Sequence, residues 1–167
     1  SLALTAVESF FDSPLAADLV AERFANVALP GRFEVLDHQP LTIVDGAHNP
    51  SGADTCASVF FEDFDPPGRR ILVVGTLRPP TAMLEALRAD EFDVVVACTA
   101  PSPRAVPAAD VAQAAVALGC DEVVGFDTVA AGCAYAIQIA DADDAVLIAG
   151  SLYVAGAART TLAELTR

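Results

Sequence analysis

The sequence predicts an α/β domain built on a mostly parallel sheet, with one antiparallel hairpin at its edge. Three observations carry this reading. Short apolar runs recur through the chain, separated by stretches of helical periodicity. The runs are continuously apolar rather than alternating, the pattern of strands covered on both faces. Finally, 167 residues, 54% hydrophobic and 19% charged, suffice for one core that buries roughly 70% of the unfolded surface. A single domain over 1–167 is therefore expected.

In chain order, residues 3–28 place Leu4, Val7, Phe10 and Phe11, then Leu15, Leu19, Val20 and Phe24, at helical spacing. Ser13-Pro14 restarts that pattern as a cap and first-turn proline, so two short helices are expected. Pro30-Gly31 ends them. Residues 32–37 alternate as a strand, His38-Gln39-Pro40 turns, and 41–44 form a second strand, which together make the hairpin. Strands then follow at 71–74, 94–98, 122–126 and 145–148, and helices at 52–63, 81–89, 107–118, 129–140 and 152–165. Asp65-Pro66-Pro67-Gly68 and Leu77-Arg78-Pro79-Pro80 read as loops.

Charge excludes several chemistries. All nine basic residues are arginine, against 23 acidic ones, for a net charge of −14. Without lysine the chain holds no Gly-Lys-Ser/Thr phosphate loop, no Schiff-base lysine and no carbamylated lysine. Nucleic acid and anionic membranes are poor partners for so acidic a surface. Cys56, Cys98, Cys120 and Cys133 are widely spaced among apolar residues, the usage of buried thiols in a reducing, cytoplasmic setting. No apolar run has the length of a membrane span, and the start lacks a signal peptide's basic segment. Ser1 in place of Met is expected of a piece of a longer protein.

In parallel α/β sheets, ligands bind beyond the carboxyl ends of the strands. There the sequence reads Asp45-Gly46-Ala47-His48-Asn49-Pro50, Gly75-Thr76-Leu77, Ser102-Pro103-Arg104 and Gly150-Ser151-Leu152-Tyr153. Asp45 and His48 converge on the ligand edge as candidate site residues, although Asp45 could instead satisfy loop amides. Asn49 followed by Pro50 is also a helix cap that needs no ligand, and Ser151 could either cap the last helix or hold an anion there. Arg32 and Arg104 sit beside rigid turns and suit bidentate anion contacts, with plain surface arginine as the alternative. His38 is expected in solvent. The two histidines have no ligand partners at metal spacing, and the absence of a G-x-S-x-G elbow argues against a serine hydrolase.

Pro30-Gly31-Arg32-Phe33-Glu34, Asp45 through Pro50, Ser102-Pro103-Arg104-Ala105 and Gly150-Ser151-Leu152-Tyr153 together resemble the C-terminal domain of folylpolyglutamate synthase/dihydrofolate synthase, in the Mur ligase superfamily. The resemblance runs over essentially the whole chain. It implies a Rossmann-like three-layer glutamate ligase domain. In such enzymes a central domain, not represented in this chain, carries the phosphate loop, the Mg2+ ligands and a carbamylated lysine. ATP activates the carboxyl of folate or dihydropteroate as an acyl phosphate, which the amine of L-glutamate attacks.

By that resemblance Arg32 and Asp45 contact ATP, His48 and Ser151 lie near the incoming glutamate, and Arg104 and Asn49 border the cleft. No metal ligand is assigned to this chain, which is expected to be a monomer and inactive alone. Where the family carries an Asp-Lys-Asp-like segment, this chain reads Leu77-Arg78-Pro79-Pro80-Thr81, with Arg78 in place of the lysine charge. Two alternatives stand beside this reading: a stand-alone nucleotide- or amino-acid-binding module, and a domain of a related Mur-type amide ligase.

Overall fold

The computed structural model describes residues 2–25, 27, 29–64 and 66–165. The described residues up to Pro30 and those from Gly31 onward form two compact units. The first unit holds helices α1 (Leu2–Phe11) and α2 (Ala17–Ala25). Glu8 closes the turn between them: its backbone oxygen accepts the Ser13 N–H at 3.2 Å and its side chain accepts the Leu15 N–H at 3.0 Å. The end of the expected helical stretch, at Asn26 and Ala28, lies outside the described residues, as does Asp65.

The second unit runs β1 (Glu34–His38), β2 (Leu41–Val44), α3 (Pro50–Asp63), β3 (Arg70–Val74), α4 (Thr81–Ala86), a 3-10 turn at Ala89–Glu91, β4 (Val94–Cys98), α5 (Ala108–Ala117), β5 (Val123–Phe126), α6 (Val129–Ile139), β6 (Ala145–Ala149) and α7 (Leu152–Leu165). Its six strands lie in the order β1-β2-β6-β3-β4-β5. Only β1 with β2 is antiparallel. This is the α/β sheet with an edge hairpin that the sequence predicts.

Strand alternation divides the core into two layers. Ile43, Leu72, Val74, Val95 and Leu147 face α3, α4 and α5, meeting Phe60, Leu84 and Val111. Val44, Ile71, Val73, Val96 and Ile148 face α6 and α7, meeting Cys133, Ala136, Val154 and Ala158. Small residues on α6 and α7 let those helices sit close to the sheet, which makes the unit a three-layer sandwich.

Two local expectations change. The apolar run 122–126 reads as buried on both faces, yet β5 is half-exposed because it pairs with β4 alone at the sheet edge. The helix expected over 81–89 stops at Ala86, because Arg88 takes a left-handed conformation (φ 54°). Its guanidinium donates to Ser58 Oγ at 3.3 Å and lies over the Phe61 ring.

Candidate functional site

The segments after β2, β3, β4 and β6 build the site. At the end of β2, Asp45 extends the parallel ladder by one residue, its N–H donating to Ile148 O at 2.9 Å. Its carboxylate then braces the loops on either side. Oδ2 accepts the Phe33 N–H and Oδ1 the Ala47 N–H, each at 2.7 Å. Asp45 therefore does satisfy loop amides, and in doing so fixes the segments that carry Arg32 and His48.

Asn49 caps α3, its Oδ1 accepting the Gly52 N–H at 2.9 Å with Pro50 in the first turn. Ser151 caps α7 in the same way, Oγ accepting the Val154 N–H at 3.1 Å from a buried position. Gly150, at φ 109°, makes the turn that precedes it, and a Cβ there would stand 2.5 Å from Gly75 O. Only glycine brings the ends of β6 and β3 this close.

After β3, the Thr76 hydroxyl donates to Arg78 O at 2.9 Å, and Thr76 O accepts the Val106 N–H at 2.9 Å. These bonds tie the 76–80 loop to the segment bearing Arg104. The result is a cavity of about 530 Å³ lined by His48, Asn49, Arg78, Arg104, Gly150 and Ser151, with Thr76 and Met83. Two helix N-termini and two guanidinium groups meet there, an arrangement suited to anions.

A second cavity, of about 270 Å³, is lined by Arg32, Phe33, Asp45, Thr55 and Cys56, and shares His48 and Asn49 with the first. The six residues singled out in the sequence thus fall on two cavities joined at His48-Asn49: Arg32 and Asp45 on the smaller, Arg104 and Ser151 on the larger. His48 is exposed, and its Nδ1 lies 3.1 Å from Gly46 O. His38 is exposed in the hairpin turn, away from both. Sequence reading did not assign Thr76, Met83, Thr55 or Cys56 to a site. Thr76 carried the signal of its place just after a strand, whereas the other three lie within helices and reach the cavities only through packing.

Burial, and then the nearby Asp45 charge, push the Cys56 thiol up to about 12, so it lines the smaller cavity as a neutral group. Among the described residues, no group of three or more His, Cys, Asp or Glu side chains is placed to hold a metal ion. None of the helices among them is long and apolar enough to cross a membrane.

The family model of the Mur ligase glutamate ligase domain matches residues 31–152. The dihydrofolate synthase/folylpolyglutamate synthase of Mycobacterium tuberculosis is 37% identical over 95% of this chain and 36% of its own length. The solved structure of Mycobacterium tuberculosis folylpolyglutamate synthase complexed with ADP and AMPPCP superposes with a TM-score of 0.84 at 34% identity, covering 95% of this chain and 38% of that one. A bifunctional folylpolyglutamate synthase/dihydrofolate synthase with Mn, AMPPNP and L-glutamate bound gives 0.78 at 26% identity, over 96% of this chain and 38% of its own. The chain spans little more than a third of the length of these relatives. With the match beginning at the Gly31 turn and running through both cavities to the start of α7, the chain belongs to the Mur ligase glutamate ligase domain family.

Proposed function

We propose that this chain is the C-terminal domain of an ATP-dependent ligase that joins L-glutamate to folate or dihydropteroate, and that it binds the incoming glutamate. The observation that carries the proposal is the larger cavity, where the α3 and α7 N-termini converge with Arg78 and Arg104. A dicarboxylic amino acid offers two anionic groups to those donors, whose positive ends stand out in a chain of net charge −14. Relatives solved with a nucleotide analogue, Mn and L-glutamate support the same ligand set for this family.

In this reading Arg32 and Asp45, on the smaller cavity, face ATP, while His48 and Ser151, with Arg104 and Asn49 beside them, face the amino acid. ATP supplies the phosphoryl group that activates the acceptor carboxyl. The chain has no lysine and no metal-ligand cluster among its described residues, so the phosphate-binding loop and the Mg2+ ligands are assigned to a further domain of the same polypeptide. This chain's residues bind and orient the glutamate, and closure of the two domains excludes water from the activated carboxyl. Four free, buried thiols agree with a cytoplasmic protein.

The test uses the complete polypeptide that contains this domain. ATP-dependent incorporation of L-glutamate into dihydropteroate or a folate is expected, and Arg104→Ala should raise the KM for glutamate about tenfold, the loss of one charged hydrogen bond. Incorporation only into a UDP-linked precursor would assign the chain to a Mur-type amide ligase instead. Nucleotide or glutamate binding without any turnover would favour the stand-alone module.

A further inference from the structure

We infer that Glu34 and Arg159 form a positioning pair that holds Arg32 at the smaller cavity, so that α7 links the two halves of the site. The inference rests on the reading of Arg32 as a nucleotide contact. Arg32 stands between two residues of positive φ, Gly31 at 67° and Phe33 at 41°. A phenylalanine in that region is strained, and the conformation persists only where surrounding contacts over-determine it.

Those contacts are specific. The Gly31 N–H donates to Glu34 Oε2 and the Phe33 N–H to Asp45 Oδ2, both at 2.7 Å. Gly31 O accepts the Gly46 N–H at 2.7 Å, and the Phe33 ring packs on Phe64 at 5.5 Å. Two carboxylates therefore grip the arch, one on each side of Arg32.

Asp45 is anchored on β2 inside the sheet, but Glu34 begins the edge strand β1 and needs its own anchor. Arg159 supplies it through a two-point contact: Nε lies 2.8 Å from Oε2, and Nη2 donates to Oε1 at 3.2 Å. Arg159 is eight residues from Ser151, or about 12 Å along α7. One helix thus caps the larger cavity with its first turn and steadies the arginine of the smaller one from its third. An ion pair this exposed adds little to global stability. Its bidentate geometry instead fixes where Glu34, and through it the Gly31 N–H, is held.

The test compares Arg32→Ala, Glu34→Ala, Glu34→Gln, Arg159→Ala and Arg159→Lys in the complete polypeptide, with KM measured separately for ATP and glutamate well below the unfolding temperature. Glu34→Ala is expected to raise the ATP KM about tenfold and Arg159→Ala about threefold, with the glutamate KM unchanged. Glu34→Gln, which keeps an acceptor for Gly31, and Arg159→Lys, which keeps the charge, should each recover part of the loss. Combining Glu34→Ala with Arg159→Ala should add nothing to Glu34→Ala. An ATP KM raised by Arg32→Ala but untouched by the Glu34 and Arg159 variants would overturn the positioning role alone. An ATP KM untouched by Arg32→Ala would overturn the nucleotide reading, and this inference with it. Equal rises in both KM values would reduce the pair to a general structural contact and also overturn it.

Discussion

Asp45 accepts the backbone N–H of Phe33 at 2.7 Å across twelve residues of sequence, while its other oxygen holds the N–H of Ala47. One buried carboxylate therefore locks both the turn that presents Arg32 and the loop that presents His48. Asp45→Ala leaves two loop amides without their charged acceptor. It should destabilise the protein by about 3–4 kcal/mol, from two charged hydrogen bonds at the low end of their usual worth. Urea unfolding of the variant beside the parent checks this, and equal midpoints would show that the two bonds contribute nothing.

Asp144, at the start of β6, accepts the N–H groups of Arg69 at 2.7 Å and Asp141 at 2.9 Å, and pairs with the Arg69 guanidinium at 3.0 Å. Burial alone would raise its carboxyl. Those backbone N–H groups and the Arg69 charge outweigh burial and hold it below the usual carboxylate range. A lowered folded-state value means stability that is fully present above the unfolded value, about 3.9, and that is lost as pH falls through the folded one. Because Arg69 is 44% exposed, its ion pair is screened and the backbone bonds carry most of the effect. Asp144→Asn should cost about 1–3 kcal/mol at pH 7. The gap between the two proteins should narrow as the pH falls below about 4 and through the lowered folded-state value. A gap constant across that range in pH-dependent urea titrations would refute the linkage.

Gly150→Ala forces a Cβ to within 2.5 Å of Gly75 O at a φ of 109°. The strain and the backbone collision together should lower stability by about 2–4 kcal/mol. In the complete polypeptide the same change should weaken glutamate binding, because Gly150 and Ser151 line the larger cavity. Thermal unfolding and the glutamate KM are the two readings.

The thiols of Cys98 and Cys133 are pushed up to about 12 by burial, as Cys56 is by burial and then by Asp45. All three should resist a disulfide reagent at pH 8 in the native protein and react on unfolding, since only the thiolate attacks. Rapid native labelling of Cys56 in particular would show that the smaller cavity opens to the α3 face.

The sheet and its helices were legible in the sequence because buried parallel strands are marked by unbroken apolar runs such as Val94–Cys98, and the start of α3 by Asn49-Pro50. The strand-end rule also pointed to Asp45, His48, Arg104 and Ser151, which line the two cavities. It did not show that β5 is an edge, because a strand's number of neighbours depends on pairing order rather than on its own residues. Nor did it foresee that helix 81–89 breaks at Arg88, a residue with no intrinsic preference for the left-handed conformation.

By itself, then, the sequence determined the class of fold, the absence of lysine chemistry and the motif residues at the strand ends. These follow from local periodicity and from side-chain chemistry. Only the tertiary structure decided that Arg32 and Asp45 face one cavity while Arg104 and Ser151 face another, with His48 and Asn49 between them. It also brought Arg159 into contact with Glu34, 125 residues away. Contacts between residues so far apart are set by how β1, β2 and α7 pack together, and no local pattern in the chain encodes that packing.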